Sequence, residues 1–146
     1  MDSKALYLVQ TDTTVGFLTQ DSALLSKIKK RPPSKAFVSV YSDFKTFKKK
    51  KNRIPNRHKN YARASSQTSF ISKNRASRII SSSEHHNFLN KFGWFFSSSA
   101  NEHAQSFERD LTCKLADIIV EDSRGLFENK PSSIIKLSRT RKVKLR

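Results

Sequence analysis

Glycine is scarce in this chain: three residues in 146, at positions 16, 93 and 125. Neither a G-x-x-x-x-G-K loop nor a G-x-G-x-x-G fingerprint can be built from them, so the phosphates of any bound nucleotide would have to be held by side chains and scattered backbone amides. Cysteine is rarer still. Cys113 stands alone, which excludes an internal disulfide and a cysteine-rich zinc site, and its apolar neighbours predict a buried structural thiol. No apolar run approaches the roughly 18 residues of a membrane span. The opening MDSKALYLVQTD lacks the basic-then-apolar layout of a secretory leader. A soluble, cytoplasmic protein is the expectation. The histidines offer no H-x-x-x-H pair and no serine sits in a nucleophile elbow, so a protein-held metal and a hydrolase triad both lack support.

Acids are missing where bases are dense. Between Lys27 and Arg63 there are fourteen Lys or Arg against one acid, Asp43, and the stretch from Lys136 to Arg146 has six bases and no acid. The net charge is +17, from 29 basic and 12 acidic residues. Self-repulsion on that scale is a cost to a compact state, and an anionic partner relieves it; nucleic acid and nucleotide phosphate both qualify. The acids gather instead in 102 to 128, which predicts a positive face and a more neutral one.

What is present is a set of short apolar runs, spread evenly enough for one folded domain over 1–146. ALYLV (5 to 9), AFVSV (36 to 40), WFF (94 to 96), DIIV (117 to 120) and SIIKL (133 to 137) read as strands. Between them lie helix signals. Asp21 or Thr19 can cap a helix bearing Leu24, Leu25 and Ile28; Ser42 precedes a short one with Phe44 and Phe47; and PNRHKNYAR can form one or two turns. QTSFIS (67 to 72) and SRIIS (77 to 81) suggest a hairpin joined by KNRA. Ser83 caps EHHNFLNKF, which Gly93 stops, and Ser106 opens a helix whose apolar members are Leu111, Leu115 and Ala116. The class is α/β, a single-domain twisted mixed sheet, parallel and antiparallel, with flanking helices.

Three polar stretches can carry chemistry. QTDTTVGF (10 to 17) puts three threonines and an aspartate after the first strand, where α/β proteins commonly bind ligands, although a turn would use the same residues. KIKKRPP (27 to 33) ends the first helix with Lys29 and Arg31. Those cations suit a polyphosphate as a point charge and a planar fork, or simply complement a helix C-terminus. GWFFSSSAN (93 to 101) ends an apolar strand in small hydroxyls and an amide, which is a polar loop or a close-approach ligand edge.

The order of these pieces is more specific than any one of them. T-D-T-x-x-G after a first strand, K-x-R-P about fifteen residues on, S-x-S-A-N after a late strand and P-S-S-I before a final one resemble the YrdC-like threonylcarbamoyl-adenylate synthases, from Leu6 to Leu137. The resemblance implies a twisted mixed sheet with a positively charged concave cavity. It implies an enzyme, a nucleotidyltransferase that joins L-threonine, bicarbonate and ATP into threonylcarbamoyl-AMP and pyrophosphate. Magnesium would ride on the ATP phosphates, and the product would pass to the transferase machinery that modifies tRNA.

Carried over by motif, Thr11, Thr13, Ser97 and Ser132 would hold threonine, and Lys29 and Arg31 would face the triphosphate and carbamate as the catalytic cations. Arg31, Thr68, Ser99, Asn101 and Arg146 would bind the nucleotide, with Arg78 a further site residue. Ser98, alternating to the other side of its strand, would be dispensable. The chain departs from the family pattern at Gln10, Val15, the stretch SKAFVSV and Val40. A second reading keeps the fold and drops the chemistry: a non-catalytic binder of double-stranded RNA, tRNA or rRNA, motivated by the charge and by Tyr61, Phe44 and Phe47 among the bases.

Overall fold

A computed structural model describes residues 1–81, 83–101 and 105–146. Strands β1 (Tyr7–Gln10) and β2 (Val15–Thr19) form an antiparallel hairpin, followed by α1 (Ser22–Ile28), β3 (Val38–Tyr41) and α2 (Phe44–Lys49). A 3-10 turn (Asn56–His58) runs into α3 (Lys59–Ala64); then come β4 (Thr68–Ser72), β5 (Arg75–Ile79), α4 (Glu84–Asn90) and β6 (Trp94–Ser99). The chain ends with α5 (Arg109–Leu115), β7 (Ile118–Val120), β8 (Ser133–Leu137) and β9 (Lys142–Lys144). Among the described residues these make one sheet in the order β7-β1-β2-β6-β3-β5-β4-β8-β9. β1/β7, β3/β5 and β4/β8 are parallel and the other pairs antiparallel, so the sheet is mixed, in one domain, as expected.

The sequence reading missed one element. β2 lies where only a polar turn and a helix cap were expected, because VGFLT is buried on both faces and shows no alternation. The KNRA connection is also tighter than expected. Ser72 pairs with Arg75, leaving Lys73 and Asn74 as a two-residue turn with φ of 50° and 62°, the primed geometry that matches strand twist.

Caps fix the helix starts. Asp21, rather than Thr19, accepts from the amides of Ala23 and Leu24 at 3.0 and 3.1 Å, while Thr19 accepts from the Asp21 amide. Such a cap stabilises a helix by about 1 kcal/mol. Ser83 accepts from His86 N at 3.1 Å. α5 begins later than expected, with Glu108 at its N-cap and no side-chain cap. Cys113 is half-buried, packed against the core beside α1 without being enclosed. Leu111 and Leu115 are exposed rather than in the core, because α5 stands off the sheet across a cleft.

Register assigns each strand residue to a face, since directly paired residues share one and neighbours alternate. On one face Tyr7, Val9, Leu18, Val40 and Phe95 pack beneath α4 through Phe88 and Leu89, with ring centroids 4.9 to 5.7 Å apart in the aromatic group. The opposite face is covered twice, by α1 over Leu8, Val15 and Phe17, and by α2 and α3 over Tyr41, Phe70 and Ile135. Among the described residues no helix is long and apolar enough to cross a membrane.

Candidate functional site

The turn between β1 and β2 is held by its own hydroxyls. Thr11 Oγ1 donates to Thr14 O at 2.6 Å, accepts from Thr13 N at 3.2 Å and lies 3.2 Å from Thr13 Oγ1. Thr11 and Thr13 are both buried. Asp12 then reaches across the sheet to an ion pair with Arg78 of β5, and Arg78 also donates to Thr13 Oγ1 at 3.1 Å. This guanidinium is only 7% exposed, and burial lowers its pKa to about 10, so it remains a cation at neutral pH. Its Nε has no hydrogen-bond partner among the described residues, which leaves one buried donor for a ligand.

Arg78 pairs in register with Ser69 of β4, so the two share the face that α4 covers at its other end. Ser69 Oγ lies 2.9 Å from Ser132 Oγ, and the Arg146 guanidinium donates to Ser132 O at 3.0 and 2.9 Å. Ser97 belongs here as well: it pairs with Leu18 and Val38, and Val38 shares its face with Val40, two residues on, which pairs with Arg78. Thr11, Thr13, Ser97, Arg78, Ser132 and Arg146 therefore come from separate segments to one region of the sheet. Thr68 does not join them. It alternates with Ser69 to the other face, and its hydroxyl donates to Ser66 O at 2.7 Å.

His85, on the first turn of α4, is the histidine that sequence reasoning passed over. It is 1% exposed with neither ring nitrogen hydrogen-bonded among the described residues. Burial first, then the charges of Arg78, Arg124 and His86, push its pKa down to about 3. The ring is neutral under ordinary conditions.

The remaining expected residues gather at the end of β6. Lys29 Nζ donates to Ser99 O at 2.9 Å and to Asn101 O, pinning the strand end to the end of α1. Asn101 donates to Gln105 O at 2.9 Å and to Glu128 Oε1 at 3.4 Å. Arg31 donates to Ala36 O at 3.1 Å with its guanidinium 4.5 Å from the centroid of Phe37. Lys29, Arg31, Ser99 and Asn101 line a cleft of about 650 Å³ between α1, α5 and β6. Ser98 faces this cleft with its register partner Phe17, while Ser97 is turned to the Arg78 side. Residues 102–104 of the S-x-S-A-N continuation lie outside the described residues.

The two groups meet at β2 and β6. Gly16 pairs with Ser99, and a Cβ there would stand 3.0 Å from Ser98 O and 3.6 Å from Thr11 Cγ2. A larger residue there would push against the backbone of β6, so glycine lets the strands pair closely beside the threonine turn. One buried cation, Arg78, the half-buried Lys29 and Arg31, and the hydroxyls suit a polyanionic substrate with hydroxyl and carboxylate groups; the Nε atoms of Arg31 and Arg78 both lack a hydrogen-bond partner among the described residues.

This architecture has known counterparts. No family model matches the chain, and no curated protein matches it. Solved structures do. The fold is that of Sua5 and YciO. P. abyssi Sua5 complexed with L-threonine superposes with a TM-score of 0.73 at 15% identity, over 98% of this chain and 50% of that one. E. coli YciO gives 0.62 at 17% identity over 98% and 82%. Full-length HypF in its phosphate- and nucleotide-bound form gives 0.75 at 13% identity over 98% and 27%. The chain thus spans about half the length of the Sua5 structure it resembles.

Proposed function

We propose that the protein is an L-threonylcarbamoyladenylate synthase of the YrdC-like kind. The observation that carries the proposal is the convergence on one face of the sheet of the Thr11–Thr13 turn, Arg78 and the Ser69–Ser132 pair. It is supported by the shared fold of a Sua5 bound to L-threonine.

In this reading the threonine amine adds to bicarbonate, expelling water, to give a carbamate. A carbamate oxygen then forms a bond to the α-phosphorus of ATP as the bond to the bridging oxygen breaks, and pyrophosphate leaves with that electron pair. Thr11, Thr13, Ser97 and Ser132 orient threonine, with Arg78 available to its carboxylate. Lys29 and Arg31, in the cleft on the other side of β6, would neutralise the carbamate and triphosphate of a ligand that passes round the end of that strand, with Ser99 and Asn101 holding the nucleotide there and Arg146 reaching it from the Ser132 side. Ser69 takes the place given to Thr68 from sequence alone. Magnesium enters as part of the nucleotide substrate. Catalysis is then positioning and electrostatic stabilisation, and losing one cation costs about 3 kcal/mol of transition-state stabilisation, as a lost oxyanion-hole donor does. The product would be handed to a transferase acting on tRNA.

Pyrophosphate release from ATP, with threonine and bicarbonate each omitted in turn, tests this. Release that requires both supports the reading. ATP turnover indifferent to threonine sinks it.

A further inference from the structure

The tripeptide Lys-Asn-Arg occurs twice, at 51–53 and at 73–75. The fold brings both copies to one cleft of about 400 Å³ on the face covered by α2, floored by Phe47, Ile54 and Phe70. The first copy follows the end of α2, where Asn52 is buried and donates to Tyr41 Oη at 2.8 Å and to Phe47 O at 3.1 Å, holding Lys51 and Arg53 at the rim. The second spans the β4–β5 turn. Lys51, Arg53, Lys73 and Arg75 are all exposed, and none has a side-chain hydrogen bond or ion pair among the described residues.

Two further depressions adjoin this cleft. One shares Lys51 and Arg53 with it and adds Lys48 and Lys59; the other shares Arg75 and adds Lys35 and Lys50. Among the described residues no acid lines any of the three. A single phosphate would neutralise two or three of these cations and leave the rest repelling one another, whereas a chain of phosphates can reach from one adjoining cleft to the next. The backbone also resists the arrangement. Lys51 and Lys73 both hold left-handed φ, 59° and 50°, which costs a non-glycine residue about 1 kcal/mol or more.

We propose that the paired Lys-Asn-Arg segments form a second anion site, a groove for a chain of phosphate groups on the face opposite Arg78. The chain can be free oligophosphate or the backbone of RNA, and the groove is independent of the synthase reading. The test uses the full chain carrying Lys29→Gln, Lys30→Gln and Arg31→Gln, which leaves Lys35, shared with the adjoining depression, as the last cation lining the other cleft. Tripolyphosphate binding is read by calorimetry, and binding of a labelled twelve-nucleotide single-stranded RNA by anisotropy across a salt series.

Lys51→Gln with Arg53→Gln, or Lys73→Gln with Arg75→Gln, is expected to weaken binding about tenfold. For RNA the log–log salt slope should also shrink by about 1.4, at roughly 0.7 for each of two phosphates left without its cation. The charge-matched control Arg139→Gln with Lys144→Gln is expected to change affinity less than about twofold, within what long-range screening permits. Weakening for tripolyphosphate as well as RNA identifies the ligand as a phosphate chain as such; weakening for RNA alone identifies it as a nucleic-acid backbone. Equal weakening in the control, or no weakening in either groove variant, overturns the proposal. Unchanged far-UV circular dichroism establishes that each variant is folded.

Discussion

Arg78 and Asp12 form an ion pair across the sheet, with side chains only 8% and 13% exposed, and Arg78 also donates to Thr13 Oγ1. The pair ties the β1–β2 turn to β5, sixty-six residues away in sequence. A buried pair is not in itself a large source of stability, since both charges lose water; breaking one side leaves the other uncompensated.

Arg78→Leu is therefore expected to destabilise the fold by about 3 kcal/mol. Arg78→Leu combined with Asp12→Asn should recover a substantial part of that loss. Urea unfolding of the two single variants and the double variant measures the coupling, and purely additive effects would contradict it.

His85 makes acid stability predictable in sign. Its folded pKa, about 3, lies below the usual histidine value of 6.5, so the unfolded chain binds the extra proton between those values. The stabilisation from keeping the ring neutral is complete above about pH 6.5 and declines as pH falls towards 3, by at most about 1.4 kcal/mol per pH unit. Carboxylates titrate in the lower part of that window as well. The difference between wild type and His85→Leu isolates the ring: the wild type should lose stability faster between pH 6.5 and 5.

Gly16→Ala places a methyl 3.0 Å from Ser98 O, on the backbone of a paired strand that cannot swing aside as a side chain would. The expected cost is about 1 to 3 kcal/mol, offset in part by the lower entropy of an unfolded alanine. Thermal denaturation should show a lowered Tm. If the threonine turn binds substrate, the KM for threonine should rise with it.

Lysines stand where helices usually prefer glycine. Lys30 after α1 and Lys51 after α2 take φ of 50° and 59°, each with its amide bonded back to the last turn. Lys30→Gly and Lys51→Gly are each expected to raise stability by about 1 kcal/mol. For Lys51→Gly, a higher Tm together with weaker phosphate-chain binding would separate the folding preference at that position from its charge.

How much of this was legible in the sequence varied with the physics at each place. The mixed sheet, the Asp21 and Ser83 caps and the Gly93 stop follow from short-range rules, and they are where those rules place them. β2 was hidden because burial on both faces erases the period of two, and the conspicuous threonines before it drew the whole stretch into a turn. In QTSFIS both Thr68 and Ser69 are hydroxyls, so the strand's frame could not be fixed, and register with Arg78 decides it. The gathering of Thr11, Thr13 and Arg78 was approachable only through motif order. Nothing local in SRIIS says that its arginine meets Asp12. The two Lys-Asn-Arg copies are plain in the sequence, but their meeting depends on α2 and the β4–β5 hairpin sharing a face.

Arg75 and Arg78 sit three positions apart on β5, so one serves the groove and the other the threonine turn, on opposite sides of a single strand. What sorts them is a count rather than a contact. Removing one residue from the turn at 73 and 74 would slide β5 by one step against β4, transposing every side chain on the strand that yields. The two arginines would trade surfaces, leaving Asp12 without its counter-charge and placing a cation in the apolar layer beside Phe70. The length of the Lys73–Asn74 turn thus governs both surfaces at once, and an insertion or deletion there should be far less tolerable than any substitution at the same two positions.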